Sequence, residues 1–484
     1  MQYRTEKDAL GKRKVPSDAY YGAFTSRALE NFQISGSKPF PALVKALSQI
    51  KIASARANMK LGLLDQKKGN AIIRAAKEFG AGKFSSCFAL DYFQAGAGTP
   101  YNMNANEIIA NRATELLGGK KGAYLVNPNN DVNMSQSSND VMPTAVRLTL
   151  LIESKELLEE LERTKIAFHK KAAQFKGILK CGRTHYMDAV PLTLGQEFDS
   201  YEALMGSAIE RIDCALEGLK EIPLGGTAVG TGITTHPNYR KVVIAALSKE
   251  SGFKFSAPKA NFELMHSMNA FVDYSNALRC LAISSHKICN DLMFLSSGPK
   301  AGIAEIILPE VEPGSSIMPG KVNPSIPEAV KMSCFYIEGL DAAVAGAAKE
   351  GHLEINVYTP VILLSLEQAT GILSNTLKMF SSKCINGIKA DKKRCNELLF
   401  SSHSYATALN PHLGYAVVAE LIKEALRKNV SVERIILEKG FVSKKDLGRM
   451  LSVSAMAKPA KVDLKLKKKI SQDKKFIAFL KSTR

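Results

Sequence analysis

The sequence predicts an all-α protein, with a bundle of long helices between smaller N- and C-terminal domains. Apolar residues recur at three- and four-residue spacing over runs of up to about 33 residues, longer than most helices of globular proteins. Convincing strand patterns are few, and short breaks rich in glycine, proline and polar residues separate the helical runs. Helices of this length are typical of a bundle, often one that other subunits complete.

The composition predicts a large folded core. Of the 484 residues, 45% are hydrophobic, which is enough for two or three domains and far from a disordered composition. No stretch is apolar enough for a membrane span, and residues 1–14 are charged, so we expect no export signal. The eight cysteines form no C-x-x-C pair and no His/Cys cluster at metal-ligand spacing. We therefore expect free thiols in a cytoplasmic protein that has no bound metal and no cofactor.

The patterns divide the chain into three expected domains. They are an N-terminal domain (1–136) that begins with an irregular arm (1–40), a central domain of long helices (137–392), and a small C-terminal helical domain with a basic tail (393–484). In chain order, helices are predicted over 42–64, 70–79, 106–117, 145–175, 196–219, 263–295, 325–349, 360–388, 414–428 and 432–439.

The first two polar breaks precede helical runs. In segment 94–104, glycines would let the backbone approach a ligand, and Thr99 and Asn102 offer neutral hydrogen bonds. Ser137, Ser138 and Asn139 lie before a long helix, whose free N–H groups and positive dipole end favour a carboxylate. Taken alone, each break is at least as typical of a connector that ends in a helix N-cap.

The third break, 182–191, contains Thr184 and His185. His185 is the histidine with the most candidate ligand groups around it, although a lone histidine is usually structural. The glycine-rich segment 225–232 lacks the Lys-Ser/Thr pair and the strand–turn–helix context of a phosphate-binding loop, so we exclude a nucleotide site there.

The fourth break, 314–324, reads GSSIMPGKVNP and holds Ser315, Ser316, Lys321 and Asn323 between two long helical runs. Its glycines and prolines predict a loop with fixed bends. Reactive groups on such loops often carry catalysis, although most Gly/Pro segments are surface connectors. Together the four breaks supply neutral donors and a lysine, but no cysteine nucleophile and no metal-ligand set. This combination suits a small dicarboxylate.

The formal charge of +19 is concentrated in part in the tail 458–484. Three interpretations compete: a solvated basic end, a contact to nucleic acid, and a field that attracts acidic substrates. The tail has few aromatic residues and no nucleic-acid motif, so the solvated end is favoured, and we expect neither a nucleic-acid partner nor a membrane.

Segment 314–324 resembles the signature loop of the aspartase/fumarase superfamily, and the resemblance continues from Tyr20-Tyr21-Gly22 to Asn410-Pro411. It implies a homotetramer whose long helices form a twenty-helix core, with four active sites that each draw on three subunits. It also implies that Ser315 is the base that removes a proton next to a carboxylate, which gives an aci-carboxylate, and that the loop closes over the substrate. The remaining implied roles are substrate binding by Ser316, Lys321, Asn323, Thr99, Ser137, Ser138, Asn139 and Thr184, and a catalytic histidine, His185, paired with Glu328.

Secondary marks favour elimination of ammonia from L-aspartate to give fumarate. Tyr20-Tyr21-Gly22, 94–99 and 188–191 resemble aspartases, whereas 137–139 and 410–412 resemble fumarases, so hydration of fumarate to malate stays open. Tyr101, which stands where small residues are usual, could alter substrate choice if it faces the pocket. A non-catalytic structural family member is a further alternative, which the retention of the loop residues and His185 disfavours.

Overall fold

The computed structural model of the chain describes residues 2–482, and helices dominate them. Helices α1 to α4 are Ala23–Asn31, Pro41–Lys60, Gln66–Gly80 and Thr99–Leu116. Helices α5 to α11 are Ser138–Phe175, Leu194–Gly218, Tyr239–Ser251, Glu263–His266, Asn269–Leu295, Ser325–Ala348 and Thr359–Lys383. Helices α12 to α19 are Lys392–Ser401, Asn410–Leu413, Tyr415–Lys428, Val432–Lys439, Lys444–Met450, Val453–Ala457, Leu464–Ser471 and Lys474–Ser482.

Strands are short among the described residues. They are β1 Tyr3–Asp8, β2 Gly11–Pro16, β3 Leu179–Thr184, β4 Met187–Thr193, β5 Ile306–Ile307 and β6 Lys389–Ala390, and they pair in chain order as three two-stranded antiparallel sheets. The predicted all-α fold class is therefore confirmed, while the twenty-helix tetrameric core stays a prediction. No helix within 2–482 has both the length and the apolarity needed to cross a bilayer.

The prediction of an irregular arm over 1–40 was wrong. Strands β1 and β2 form a hairpin in this region, with Tyr3 opposite Pro16, and α1 follows it. The alternation of buried and exposed residues along these strands is hard to see in the sequence because charged residues fill most positions. Glu6, one of the buried residues, is itself charged. The Arg4 guanidinium bonds Glu6 at 2.7 Å and also donates to backbone carbonyls of the following segment.

The third polar break is also a hairpin, which the sequence did not predict. Strand β3 pairs with β4, with a register shift between Cys181 and Gly182. His185 and Tyr186 form the two-residue turn, and both have positive φ, 55° and 60°. Positive φ at both central positions is the requirement of a type I′ turn, which normally selects Asn and Gly. Two bulky residues there carry backbone strain, a condition that clusters at functional sites.

The chain forms two compact units. The first contains the residues up to Leu161, Ser207–Ile283 and Met332–Thr376; the second contains Glu162–Gly206, Ser284–Lys331 and the residues from Leu377 on. In the first unit, α2 packs against α3 and α7, and α3 packs against α4. The division into domains at residues 136 and 392 stays a prediction.

In the second unit, a single apolar core joins the C-terminal helices. Leu179 and Cys181 of β3 share it with Leu421, Ile436 and Phe476. The basic tail takes part, since Leu466 and Ile470 of α18 are buried while the lysines between them point outward. The lysines of this segment are thus the outer face of a folded amphipathic helix.

Two glutamates in the first unit, the buried Glu367 and the half-buried Glu153, lack full hydrogen bonding. Tyr92 donates to Glu367 Oε2 at 2.6 Å, whereas Glu367 Oε1 and Glu153 Oε2 have no partner among the described residues. Burial raises the pKa of Glu153, and burial together with the neighbouring Glu153 raises the pKa of Glu367. Each carboxyl therefore prefers to stay protonated in the folded state.

We expect Glu153→Gln to raise the melting temperature at pH 8 by a few degrees and to have little effect near pH 4.5. A raised folded pKa means that wild-type stability is fully present below the ordinary carboxyl pKa and falls as pH rises above it, and glutamine removes this loss. Thermal unfolding between pH 4.5 and 8 measures the difference. Glu156→Gln, at an exposed position of the same helix, is the control. A difference that does not grow with pH would contradict the assignment.

Candidate active site

Thr99 is the first residue of α4, seven residues before the predicted start of this helix. The turn Gly96–Gly98 leads into it with positive φ at Ala97 and Gly98 (58° and 66°), and the Ala97 N–H donates to the Val357 carbonyl at 2.7 Å. Pro100 occupies the first turn, where a missing N–H costs nothing. Thr99 therefore lies at a helix start, where backbone N–H groups have no partner within the helix.

Ser138 begins α5, again seven residues before its predicted start. Asp140 is fully buried and fixes this start, because Oδ1 accepts the Ser137 N–H at 2.9 Å. Its Oδ2 accepts the N–H groups of Gly225 and Thr227, both at 2.9 Å. Burial raises the pKa of Asp140 to about 6, against the lowering effect of these bonds. The glycine-rich segment thus packs on the start of α5, and the Asn139 side chain donates to the Ala228 carbonyl.

The starts of α4 and α5 lie together in the first unit. Asn102 Nδ2 donates to Ser138 Oγ at 3.0 Å, which joins the two helices at their first turns. Thr99, Ser137, Ser138 and Asn139 are all half-buried. Two helix N-termini with hydroxyl and amide groups between them form a site suited to an anion.

Lys51 of α2 lies beneath this site and is not among the residues predicted from the sequence. It is fully buried, and its ammonium donates to Asn102 Oδ1 at 2.7 Å, Gln136 Oε1 at 2.9 Å and Asn133 Oδ1 at 3.2 Å. Burial lowers the pKa of Lys51 to about 7, while the charge of Asp140 raises it. The one available sequence signal was a lysine between two isoleucines inside an apolar helical run.

Tyr101, which could have altered the pocket, points into the core. It is fully buried, its ring packs against Phe88 and Tyr92 with centroids 5.6 Å and 5.8 Å away, and its hydroxyl lies 3.4 Å from the Leu90 carbonyl. A core position does not provide the contact with substrate that would change specificity.

Thr184 and His185 are exposed at the tip of the β3–β4 hairpin in the second unit. The hairpin is held by Arg183, whose guanidinium bonds both carboxylate oxygens of Glu305 at 2.9 Å and 3.1 Å. Burial alone would lower the pKa of Arg183, but the bonds to Glu305 raise it. These two hydrogen bonds to one carboxylate fix the position of Arg183, which precedes Thr184 in the chain.

Ser315 lies in the loop 314–324 of the second unit, half-buried. Its Oγ accepts the N–H groups of Ile317 at 3.2 Å and Met318 at 3.0 Å. Two N–H groups directed at one hydroxyl oxygen stabilise negative charge on it, which is the condition for a serine to act as a base. The structure thus provides the backbone donors that such a role requires.

Gly314 sets the shape of this loop. Its N–H donates to the Lys321 carbonyl at 2.8 Å, and its own carbonyl accepts from Asn323 Nδ2 at 2.8 Å. A Cβ at position 314 would lie 2.7 Å from the Lys321 carbonyl oxygen, so only glycine fits. Ser316 and Lys321 are exposed, and Asn323 is half-buried.

The predicted site residues divide between the two units of the chain. Thr99, Ser137, Ser138 and Asn139 belong to the first unit, and Thr184, His185, Ser315, Ser316, Lys321, Asn323 and Glu328 belong to the second. Within residues 2–482 of one chain, no hydrogen bond joins His185 to Glu328. The same residues contain no group of three His, Cys, Asp or Glu side chains arranged for a metal.

Comparison with known proteins gives consistent matches along the chain. A family described as Lyase matches residues 11–339, and one described as Fumarase C C-terminus matches residues 406–458. An aspartate ammonia-lyase from a Bacillus species is 42% identical over 94% of this chain and 98% of its own length. A class II fumarate hydratase from Campylobacter jejuni is also 42% identical, over 95% of this chain and all of its own length.

A solved structure described as fumarate lyase:delta crystallin, from Brucella melitensis, superimposes with a TM-score of 0.92. It is 44% identical to this chain and covers 95% of it and all of the Brucella chain. Relatives named for two different reactions match to the same degree, so identity alone does not select the substrate.

Proposed function

Because the chain belongs to the aspartase/fumarase superfamily of lyases, we propose that it is an aspartate ammonia-lyase, which eliminates ammonia from L-aspartate to give fumarate. The aspartase-like segments at 20–22, 94–99 and 188–191 support aspartate as the substrate. Relatives named aspartate ammonia-lyase at 42% and 44% identity agree with this choice without deciding it. No metal or cofactor enters the proposal.

The observation that carries the proposal is the pair of N–H groups directed at Ser315 Oγ. In the proposed reaction Ser315, as the alkoxide that these two N–H groups stabilise, takes a proton from the carbon next to one substrate carboxylate and becomes the neutral hydroxyl, and the C–H electron pair moves into that carboxylate as an aci-carboxylate dianion. The C–N bond at the neighbouring carbon then breaks, nitrogen leaves with its electron pair as ammonia, and the C=C bond of fumarate forms. Such a weak carbon acid requires donors already placed around the developing charge.

The other predicted residues supply those donors. Thr99, Ser137, Ser138 and Asn139 offer hydroxyl and amide groups at the two helix starts, and Lys321 and Asn323 offer a cation and an amide on the loop. Thr184 and His185 contribute from the exposed hairpin tip, where His185 pairs with Glu328 of another subunit. The exposure of the loop is consistent with closure over a bound substrate, which excludes water.

A homotetramer is part of the proposal, since the proposed site needs residues from three chains. The predicted site residues occupy separate units, and exposed apolar side chains such as Met332, Phe335 and Tyr336 lie along α10. Exposed apolar surface on long helices supports association with further copies. A soluble, cytoplasmic tetramer that acts on a small dicarboxylate is the resulting proposal.

Fumarate hydratase is the second candidate, which the equal identity of the Campylobacter fumarate hydratase favours. The two functions differ in the leaving group, ammonia or water, and share the fumarate product. Purified protein is mixed with L-aspartate and, separately, with L-malate, and the ultraviolet absorbance of fumarate is followed. We expect fumarate to form from aspartate. Fumarate from malate alone would replace the proposal with the second candidate. If fumarate forms from neither substrate, the non-catalytic alternative is supported.

A further inference from the structure

Lys51 determines the orientation of the Asn102 amide. Below pH 7, where a pKa of about 7 keeps Lys51 as an ammonium group with three protons and no lone pair, every atom that faces it within hydrogen-bond distance must be an acceptor. The Asn102 side-chain atom 2.7 Å from Lys51 Nζ is therefore the oxygen, and the amide nitrogen faces the other way. Lys51 is buried and holds three side-chain oxygens, so this arrangement does not exchange with solvent contacts.

The fixed amide determines in turn the direction of the Ser138 hydroxyl. Asn102 Nδ2 has two protons, and it lies 3.0 Å from Ser138 Oγ and 3.1 Å from Asn133 Oδ1. Asn133 Oδ1 also accepts from Lys51 and Asn106, so it has no proton to give. Ser138 Oγ therefore accepts from Asn102, and its own proton is free to be donated to a ligand.

The opposite orientation of the Asn102 amide would prevent the Ser138 hydroxyl from donating its proton to a ligand. Asn102 Oδ1 would then accept the Ser138 proton, and the hydroxyl would present only lone pairs to a ligand. Lone pairs repel a carboxylate, whereas an O–H donates to it. The polarity of one hydroxyl at the helix starts thus depends on a lysine in the layer below.

We propose that Lys51 and Asn102 are positioning residues that make Ser138 a hydrogen-bond donor to a substrate carboxylate. The proposal rests on the proposed function in one respect, that Ser138 faces the dicarboxylate. Asn102 contacts Ser138, and Lys51 contacts Asn102, so both residues act on the substrate through the Ser138 hydroxyl.

The decisive variant is Asn102→Asp, which has nearly the same shape. An aspartate at this position still accepts from Lys51 and pairs with its charge, which offsets the loss of the bond that Asn102 Nδ2 donates to Asn133 Oδ1, so we expect folding and assembly to be kept and the melting temperature to change little. Its second oxygen, however, forces Ser138 to donate to it. We expect the dissociation constant for succinate, an unreactive dicarboxylate measured by calorimetry, to rise about 10- to 100-fold, the effect of losing a hydrogen bond to a charged group.

A double-mutant cycle separates this mechanism from simple charge repulsion. Ser138→Ala removes the hydroxyl and should weaken succinate binding to a similar degree. If Asn102 acts through Ser138, the double variant Asn102→Asp/Ser138→Ala binds no more weakly than Ser138→Ala alone. If the added negative charge is the cause, the two losses multiply and the proposal is overturned.

Lys51→Met tests the lower layer, with Lys171→Met as its matched control. Lys171 is also largely buried and donates to the Ile388 carbonyl and Gln174 Oε1, neither of which belongs to a candidate site residue. We expect weaker succinate binding in the first variant and unchanged binding in the second. Equal losses in both, or wild-type affinity in Asn102→Asp, would overturn the proposal.

The fumarate assay tests the proposed function, and the succinate-binding measurements test the role of Lys51 and Asn102. Wild-type protein that binds succinate but releases fumarate from neither aspartate nor malate would refute the proposed function, while the binding cycle would still decide the role of Lys51 and Asn102. Wild-type protein that does not bind succinate at all would overturn this inference as well.

Discussion

Replacing Ser315 by alanine is expected to lower kcat by a factor of about 10²–10⁴ or more, with melting temperature and subunit assembly unchanged. The reason is the position of Oγ, which accepts two backbone N–H groups and is the one atom in the loop arranged to hold a transient negative charge. Alanine keeps the shape of the loop, because the bonds between Gly314, Lys321 and Asn323 do not involve the hydroxyl. The measurement is the rate of fumarate release at saturating substrate.

The control is Ser431→Ala, since the Ser431 hydroxyl also accepts a backbone N–H, from Arg434, but caps α15 in the C-terminal helices. This variant should lose about 1 kcal/mol of stability and no turnover. Near-normal turnover in Ser315→Ala would eliminate the serine as the base. Ser315→Ala also tests whether each active site is shared between subunits. When this variant is co-expressed with His185→Ala, mixed tetramers should recover part of the activity. Some sites then receive an intact Ser315 from one chain and an intact His185 from another.

The sequence was sufficient for the loop and for the long helices, because glycine, proline and apolar spacing act locally. Gly314 and its loop follow from steric rules, and the predicted helical run 325–349 agrees with α10, Ser325–Ala348, to within one residue. The starts of α4 and α5 were placed too late because polar residues fill their first turns. Pro100 at the start of α4 was a usable signal, whereas Pro143 inside α5 argued against continuing that helix upstream.

Local sequence patterns could not predict the β3–β4 hairpin or the hydrogen bonds of Lys51. His185 and Tyr186 occupy a turn that usually requires Asn-Gly, so the local sequence lacks the hairpin signal. Lys51 gains its meaning from Asn102, Asn133 and Gln136, which lie more than 50 residues away in the chain. Contacts that depend on tertiary packing leave no periodic pattern in the sequence.

Glu305→Gln is expected to destabilise the protein by about 3–5 kcal/mol, the largest stability effect we predict. Glu305 is fully buried and bonds Arg183 through both oxygens, while Lys180 lies 3.4 Å from it and 3.1 Å from Glu197. These side chains form a mostly buried cluster of two cations and two carboxylates. Loss of the Glu305 charge leaves one cation without compensation in this mostly buried cluster.

The compensating variant makes this prediction specific. Adding Lys180→Met to Glu305→Gln removes the surplus cation, so that the cluster again holds equal numbers of cations and carboxylates, and part of the lost stability should return. Glu420→Gln, which breaks the exposed pair with Lys423, is the control and should cost at most about 1 kcal/mol.

Urea unfolding measures the free energy of unfolding of all three variants. A loss for Glu305→Gln no larger than the control, or no recovery in the double variant, would contradict the charge-balance argument. Recovery of stability without recovery of turnover would indicate that Glu305, through Arg183, also fixes the hairpin that carries Thr184 and His185.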